Sequence, residues 1–228
     1  MQIELLTDDE ARVLGTLIEK SMATPDYYPL TLNSLRTACN QKSNRDPVVD
    51  YDEETVSEAL IGLKRKSLVT FSPYGSQGNL YKYRHFLEDL RFNLTRPEIA
   101  VLGVLLLRGS QTLNEVKLRT SSLYPLESLE ETETLLAGLA NRPEALVECL
   151  PKRPGWKEPR WRDRLRPHSE SHDSSEGVIA ENSPLSSSPF PTRSAREEIA
   201  DLKKEVAELR TEFAALKAEM EKIKSDLY

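Results

Sequence analysis

Apolar residues recur through the first 164 positions with two periods, one of three to four residues and one of two. The pattern divides the chain before any composition is counted. Thr7 with Glu10 and Thr95 with Glu98 each have capping-box spacing. Each opens a helix, with apolar face Leu14, Leu17 and Ile18 in the first and Val101, Val104 and Leu105 in the second. Arg108-Gly109 closes the second helix. The segments "TLNSLRT" from Thr31 and "TLNEVKLRT" from Thr112 then predict a short helix with a threonine N-cap in each half. A third pair follows, "EETVSEALIGL" from Glu53 and "EETETLLAGL" from Glu130. Both lead into strand-like runs around Gly/Pro turns, "LVTFSPYGSQGNLYKYRHF" from Leu68 and "LVECLPKRPGWKEPRW" from Leu146. The chain therefore holds an internal repeat of three helices and a hairpin.

That order is the order of a winged helix, a helix-turn-helix whose third helix and hairpin can approach DNA. The predicted fold is mainly α with small β-hairpins (α+β). One winged-helix domain spans 1–90 and a second 91–165, followed by a disordered Ser/Pro-rich linker over 166–194 and a coiled-coil helix over 195–228. In the last segment Ile199, Leu202, Val206, Leu209, Phe213, Leu216, Met220, Ile223 and Leu227 occupy alternating a and d positions, the expected dimer interface. Glu198, Glu205, Glu212 and Glu219 at g then meet Lys203, Arg210, Lys217 and Lys224 at e. These charges favour a parallel homodimer over an antiparallel one.

The words "EARVLGTLIEKSMATPDYYPLTLNSLRTACNQKSNRDPV", "LLLRGSQTLNE" and "LPKRPGWKEPRW" resemble the YceH-like family of uncharacterised bacterial proteins, through about Trp161. The resemblance implies a tandem winged-helix fold and no particular activity. The linker and terminal helix lie outside the matched part.

Composition narrows the function classes. Of 228 residues, 38% are hydrophobic, low for a chain packed throughout, and the net charge of −6 means that any nucleic-acid contact must come from a local basic patch. The N-terminus turns acidic too early for a signal peptide, and the apolar run from Ile99 to Leu107 is too short to span a bilayer, so a cytoplasmic chain without membrane contact is expected. Cys39 and Cys149 have no CxxC spacing, and His85, His168 and His172 lie away from Cys39. No catalytic residue, metal site or cofactor is predicted, and the chain is expected not to be an enzyme.

The expected function is DNA association with a regulatory role; the alternative is a scaffold whose winged helices bind protein without DNA. The candidate nucleic-acid contacts are Lys42, Asn44 and Arg45 in the polar loop "NQKSNRDP", Lys64 and Arg65 at the end of the third helix, and Lys82 and Arg84 in the first hairpin. The second hairpin adds Lys152, Arg153, Lys157 and Arg160, interleaved with Trp156 and Trp161. The third helices themselves are acidic outward, with Glu54 and Glu58 in one and Glu130, Glu131 and Glu133 in the other, which opposes ordinary major-groove insertion. The loop also reads as a turn, Asn40 capping the helix before it and Pro47 stopping further helix.

Overall fold

Helix α1 (Asp8–Ala23) begins where the first capping signal lies. The Thr7 hydroxyl accepts the Glu10 N–H at 3.1 Å, and the Glu10 carboxylate accepts the Thr7 N–H at 2.8 Å. A 3-10 turn at Pro25–Tyr27 leads through the two-residue strand β1 (Leu30–Thr31) into α2 (Leu32–Cys39), whose N-cap is Thr31. Helix α3 (Glu53–Arg65) follows, capped by Asp52, and then the hairpin of β2 (Val69–Tyr74) and β3 (Leu80–His85). The second half repeats the order with α4 (Arg96–Arg108), β4 (Gln111–Thr112), α5 (Leu113–Thr120), α6 (Leu129–Ala140), β5 (Val147–Leu150) and β6 (Arg160–Asp163). This is a computed structural model, and it describes residues 4–74, 80–88 and 92–167. The expected linker from 168 onward and the expected coiled-coil segment, with its a and d residues, lie outside the described residues.

The fold is α+β, six α-helices with small antiparallel sheets among the described residues. Each half has a three-stranded sheet rather than a bare hairpin, ordered β1-β3-β2 and β4-β6-β5. The extra strands have only two residues, too few to show a period of two in sequence. Registers match between halves: Phe71 lies opposite Tyr83 as Cys149 lies opposite Trp161, and Val69 opposite His85 as Val147 opposite Asp163.

The halves share one hydrophobic core, centred on the packing of α1 against α4. Two glycines permit the approach. A Cβ on Gly103 would stand 2.5 Å from Ile18 Cγ2, and one on Gly15 would stand 2.9 Å from Leu107 Cγ. Helix α1 is buried continuously from Glu10 to Glu19 and α4 from Ile99 to Leu107, so the apolar run of α4 is a helix enclosed on all sides. In α3 one face, Val56, Ala59, Leu60 and Leu63, is buried. In α6 Leu136 and Leu139 are buried while Leu135 is half-buried. At the far end Leu165 is buried, its carbonyl accepting the Leu6 N–H at 2.6 Å. Arg166, the first residue of the predicted linker, is held by Asp163 at 2.8 Å and Asp8 at 3.5 Å. None of the described helices is long and apolar enough to cross a membrane.

Candidate functional site

The loop "NQKSNRDP" is built mainly from bonds that lock it to its neighbours. Asn40, the C-cap of α2, holds Tyr51 through both of its backbone-directed bonds, at 2.8 Å each. Asn44 has φ 60°, in the left-handed region that asparagine tolerates, and its side-chain oxygen accepts from Arg108 of α4. The Asp46 N–H donates to the Leu107 carbonyl at 3.0 Å, and the Arg12 guanidinium donates to the Pro47 carbonyl. Arg45 corrects the sequence expectation of a surface cation: its side chain is fully buried, bonded to Glu19 at 3.0 and 2.7 Å and to the Ala38 carbonyl at 3.0 Å. A guanidinium so enclosed cannot reach a phosphate. Lys42 and Asn44 stay exposed, but Asn44 faces the second half, which leaves Lys42 as the loop's outward cation.

Cys39 in the same region is buried, its Sγ 3.6 Å from the Thr16 hydroxyl, and burial pushes the thiol up to about 11. It is protonated at neutral pH, and its hydrogen-bond partner is the Thr16 hydroxyl.

An open groove of ≈ 580 Å³ lies between α3 and the first hairpin. Leu60 forms part of its floor, and Ile61, 52% exposed, projects at its side. Phe71 and Tyr83 face each other across the strands, and Tyr81, two residues from Tyr83, shares their face. Phe71 meets Tyr81 edge to face, with ring centroids 5.1 Å apart, and Tyr83 at 5.9 Å. Lys64 Nζ stands 4.0 Å from the Phe71 centroid, and Arg65 lines the same end. The groove is thus lined by aromatic and aliphatic side chains, with Lys64 and Arg65 supplying positive charge at the C-terminal end of α3. No single sequence motif marked it, because it needs a helix and a hairpin face together. The visible signal was the alternation of Phe71, Tyr81 and Tyr83, with Ile61 on an otherwise polar helix face.

The second half lacks this groove's side chains. Where the first hairpin has Phe71 opposite Tyr83, the second has Cys149 opposite Trp161. The helix residues that follow buried Leu136 and Leu139 are Ala137 and Ala140 in place of Ile61 and Lys64. Trp161 packs against the core.

The remaining predicted cations divide by their partners. Lys82 and Arg84 alternate with Tyr81 and Tyr83 and so occupy the opposite face of β3 from the groove. In the second hairpin Lys152 and Lys157 are exposed. Arg153 and Arg160 each lie 5.4 Å from the Trp156 ring. Arg160 also bonds the Ser110 carbonyl at 3.0 Å and pairs with Glu115 at 3.4 Å, while Arg162 pairs with Glu148 at 2.7 Å. The ribbon that looks uniformly cationic in sequence is therefore part-neutralised by carboxylates from α5 and β5.

The family model described as "Protein of unknown function, DUF480" matches residues 6–156, both halves of the fold. A UPF0502 protein of Geobacter sulfurreducens is 50% identical over 157 residues, 69% of this chain and 70% of that protein. One of Opitutus terrae is 48% identical over 159 residues, 69% and 68% of the two chains. A UPF0502 protein of Solibacter usitatus is 42% identical over 195 residues, covering 85% of this chain and 91% of its own length.

Proposed function

We propose that this chain, which belongs to the DUF480 family, is a non-catalytic docking module in which two winged helices present one asymmetric groove to a protein partner. The observation that carries the reading is the groove between α3 and the first hairpin, with Ile61 52%, Phe71 37% and Tyr81 43% exposed on one surface. Such a cluster suits an amphipathic partner segment whose apolar anchors enter the groove, with acidic side chains toward Lys64 and Arg65. The order helix, strand, helix, helix, hairpin in each half supports the winged-helix assignment.

Nucleic-acid association is the second reading. Exposed Lys42, Lys64, Arg65, Arg84, Lys152 and Lys157 favour it; Glu54 and Glu58 on α3, and the engagement of Arg45, Arg160 and Arg162 by carboxylates, weigh against it. In both readings the a and d stripe over 195–228 makes the chain a parallel homodimer. A titration of labelled duplex and single-stranded DNA over a range of salt separates the two. The docking reading expects no steep salt-dependent affinity, and strong binding lost on removal of Lys152 and Lys157 supports the nucleic-acid reading instead. Sedimentation of the intact chain as a dimer, and of residues 1–167 as a monomer, tests the stripe.

A further inference from the structure

A second cleft, of ≈ 380 Å³, lies away from the groove where the end of α1, the end of β3 and the start of α4 meet. His85 and Ser21 line it, with Tyr28, Arg84, Arg96 and Glu88. The Ser21 hydroxyl donates to the Ile18 carbonyl at 2.7 Å, so it accepts from His85 Nε2, 3.0 Å away. That assignment puts the ring proton on Nε2 and leaves Nδ1 as a bare acceptor. Nδ1 is buried and has no partner. Burial lowers the His85 pKa to about 4, which keeps the ring neutral.

Tyr28 adds the complementary group. Its phenol oxygen accepts the His85 N–H at 2.7 Å, and its own hydrogen has no acceptor among the described residues. The two halves differ at this point. Asp163, the register equivalent of His85, is fully buried and bound by Arg166 at 2.8 Å. The second half thus satisfies this position from within the chain, and the first half presents it to a cleft.

We infer that the cleft binds a small carboxylic acid carrying an amino or hydroxyl group. The carboxylate lies against Arg84 and Arg96, neither of which has a carboxylate partner among the described residues, and a guanidinium matches its two oxygens. The Tyr28 hydroxyl donates to the same anion. The ligand's N–H or O–H donates to His85 Nδ1, and Glu88 accepts from an ammonium where the ligand has one. Among the described residues the lining has two guanidinia, one carboxylate and a neutral imidazole, a surplus of one positive charge that a singly anionic ligand balances. Met22 and Phe86 supply apolar contact for its carbon skeleton. Because Arg96 belongs to the second half and the other groups to the first, a bound ligand bridges both. This inference does not depend on the docking groove.

The test uses the full-length chain and a panel of amino acids with lactate, glycolate and malate, with acetate and inorganic phosphate as controls, all at millimolar concentration. Two signals are followed, thermal melting and the ring nitrogen resonances of His85, assigned by their loss in His85→Gln. At least one amino or hydroxy acid raises the melting temperature and moves the Nδ1 resonance in the direction of an accepted hydrogen bond. Arg84→Ala with Arg96→Ala, both exposed in the free protein, abolishes both responses while leaving the unliganded melting temperature nearly unchanged. No response to any panel member overturns the inference, as does a response that survives in the double variant or is matched by acetate.

Discussion

Arg45 lies bidentate on Glu19 at 3.0 and 2.7 Å, with 0% and 9% of the two side chains exposed. Burial alone would push the Glu19 carboxyl up; its bonds to Arg45 and the charges of Arg45 and Lys20 outweigh this and hold it below the usual carboxylate range. The pair ties the loop after α2 to α1, and the same loop reaches α4 through Asp46. Arg45→Ala leaves a buried carboxylate without its partner and is expected to cost about 3–5 kcal/mol. Lys42→Ala, three residues away and exposed, should change stability by less than about 0.5 kcal/mol. Urea unfolding of both variants checks the contrast, and similar midpoints would remove the structural role assigned to Arg45.

The glycines make an equally direct comparison. Gly103→Ala places a methyl 2.5 Å from Ile18 Cγ2 and should destabilise by about 1–3 kcal/mol, although alanine is the better helix former. Gly138→Ala, in α6 with open space around it, should stabilise by up to about 1 kcal/mol. If both substitutions stabilise, α1 and α4 are not packed as closely as described.

His85 sets an acid sensitivity. Its folded pKa of about 4 lies below the ordinary 6.5, so between these values the unfolded chain binds more protons than the folded one. Stability from this group is complete above pH 6.5 and falls as the pH drops toward 4, by an amount on the order of 3 kcal/mol. His85→Gln should flatten the melting temperature between pH 6.5 and 4.5. An unchanged slope would place the acid sensitivity elsewhere.

Much of the fold is legible in the sequence because its signals are local. Thr7 and Glu10 cap one helix within four residues, and the face of Val56, Ala59, Leu60 and Leu63 follows from period alone. What sequence could not show depends on which segments meet. Nothing near Arg45 in the chain announces Glu19, 26 positions earlier. Glu10, Arg12, Thr16 and Glu19 look like polar surface on α1 until Lys66 meets the first, the loop after α2 meets Arg12 and Glu19, and Cys39 of α2 meets Thr16. The candidate site shares this limit: Arg160 reads as a free cation because Glu115 comes from another element. The groove exists only once Ile61 of α3 stands beside Phe71 and Tyr81.

Photo-crosslinking in living cells asks whether this groove is the docking surface. A photoreactive residue is placed at position 61 or 81, with position 152 in the second hairpin as the comparison. A docking groove gives a discrete protein adduct from 61 and 81 that is absent from 152. Ile61→Asp, which puts a charge among the aromatic rings, should weaken the purified partner's binding at least about tenfold, near the ~1.4 kcal/mol that separates an anchor residue from a neutral contact. Adducts to nucleic acid from 61 and 81, or a partner whose affinity is unchanged by Ile61→Asp, would contradict it.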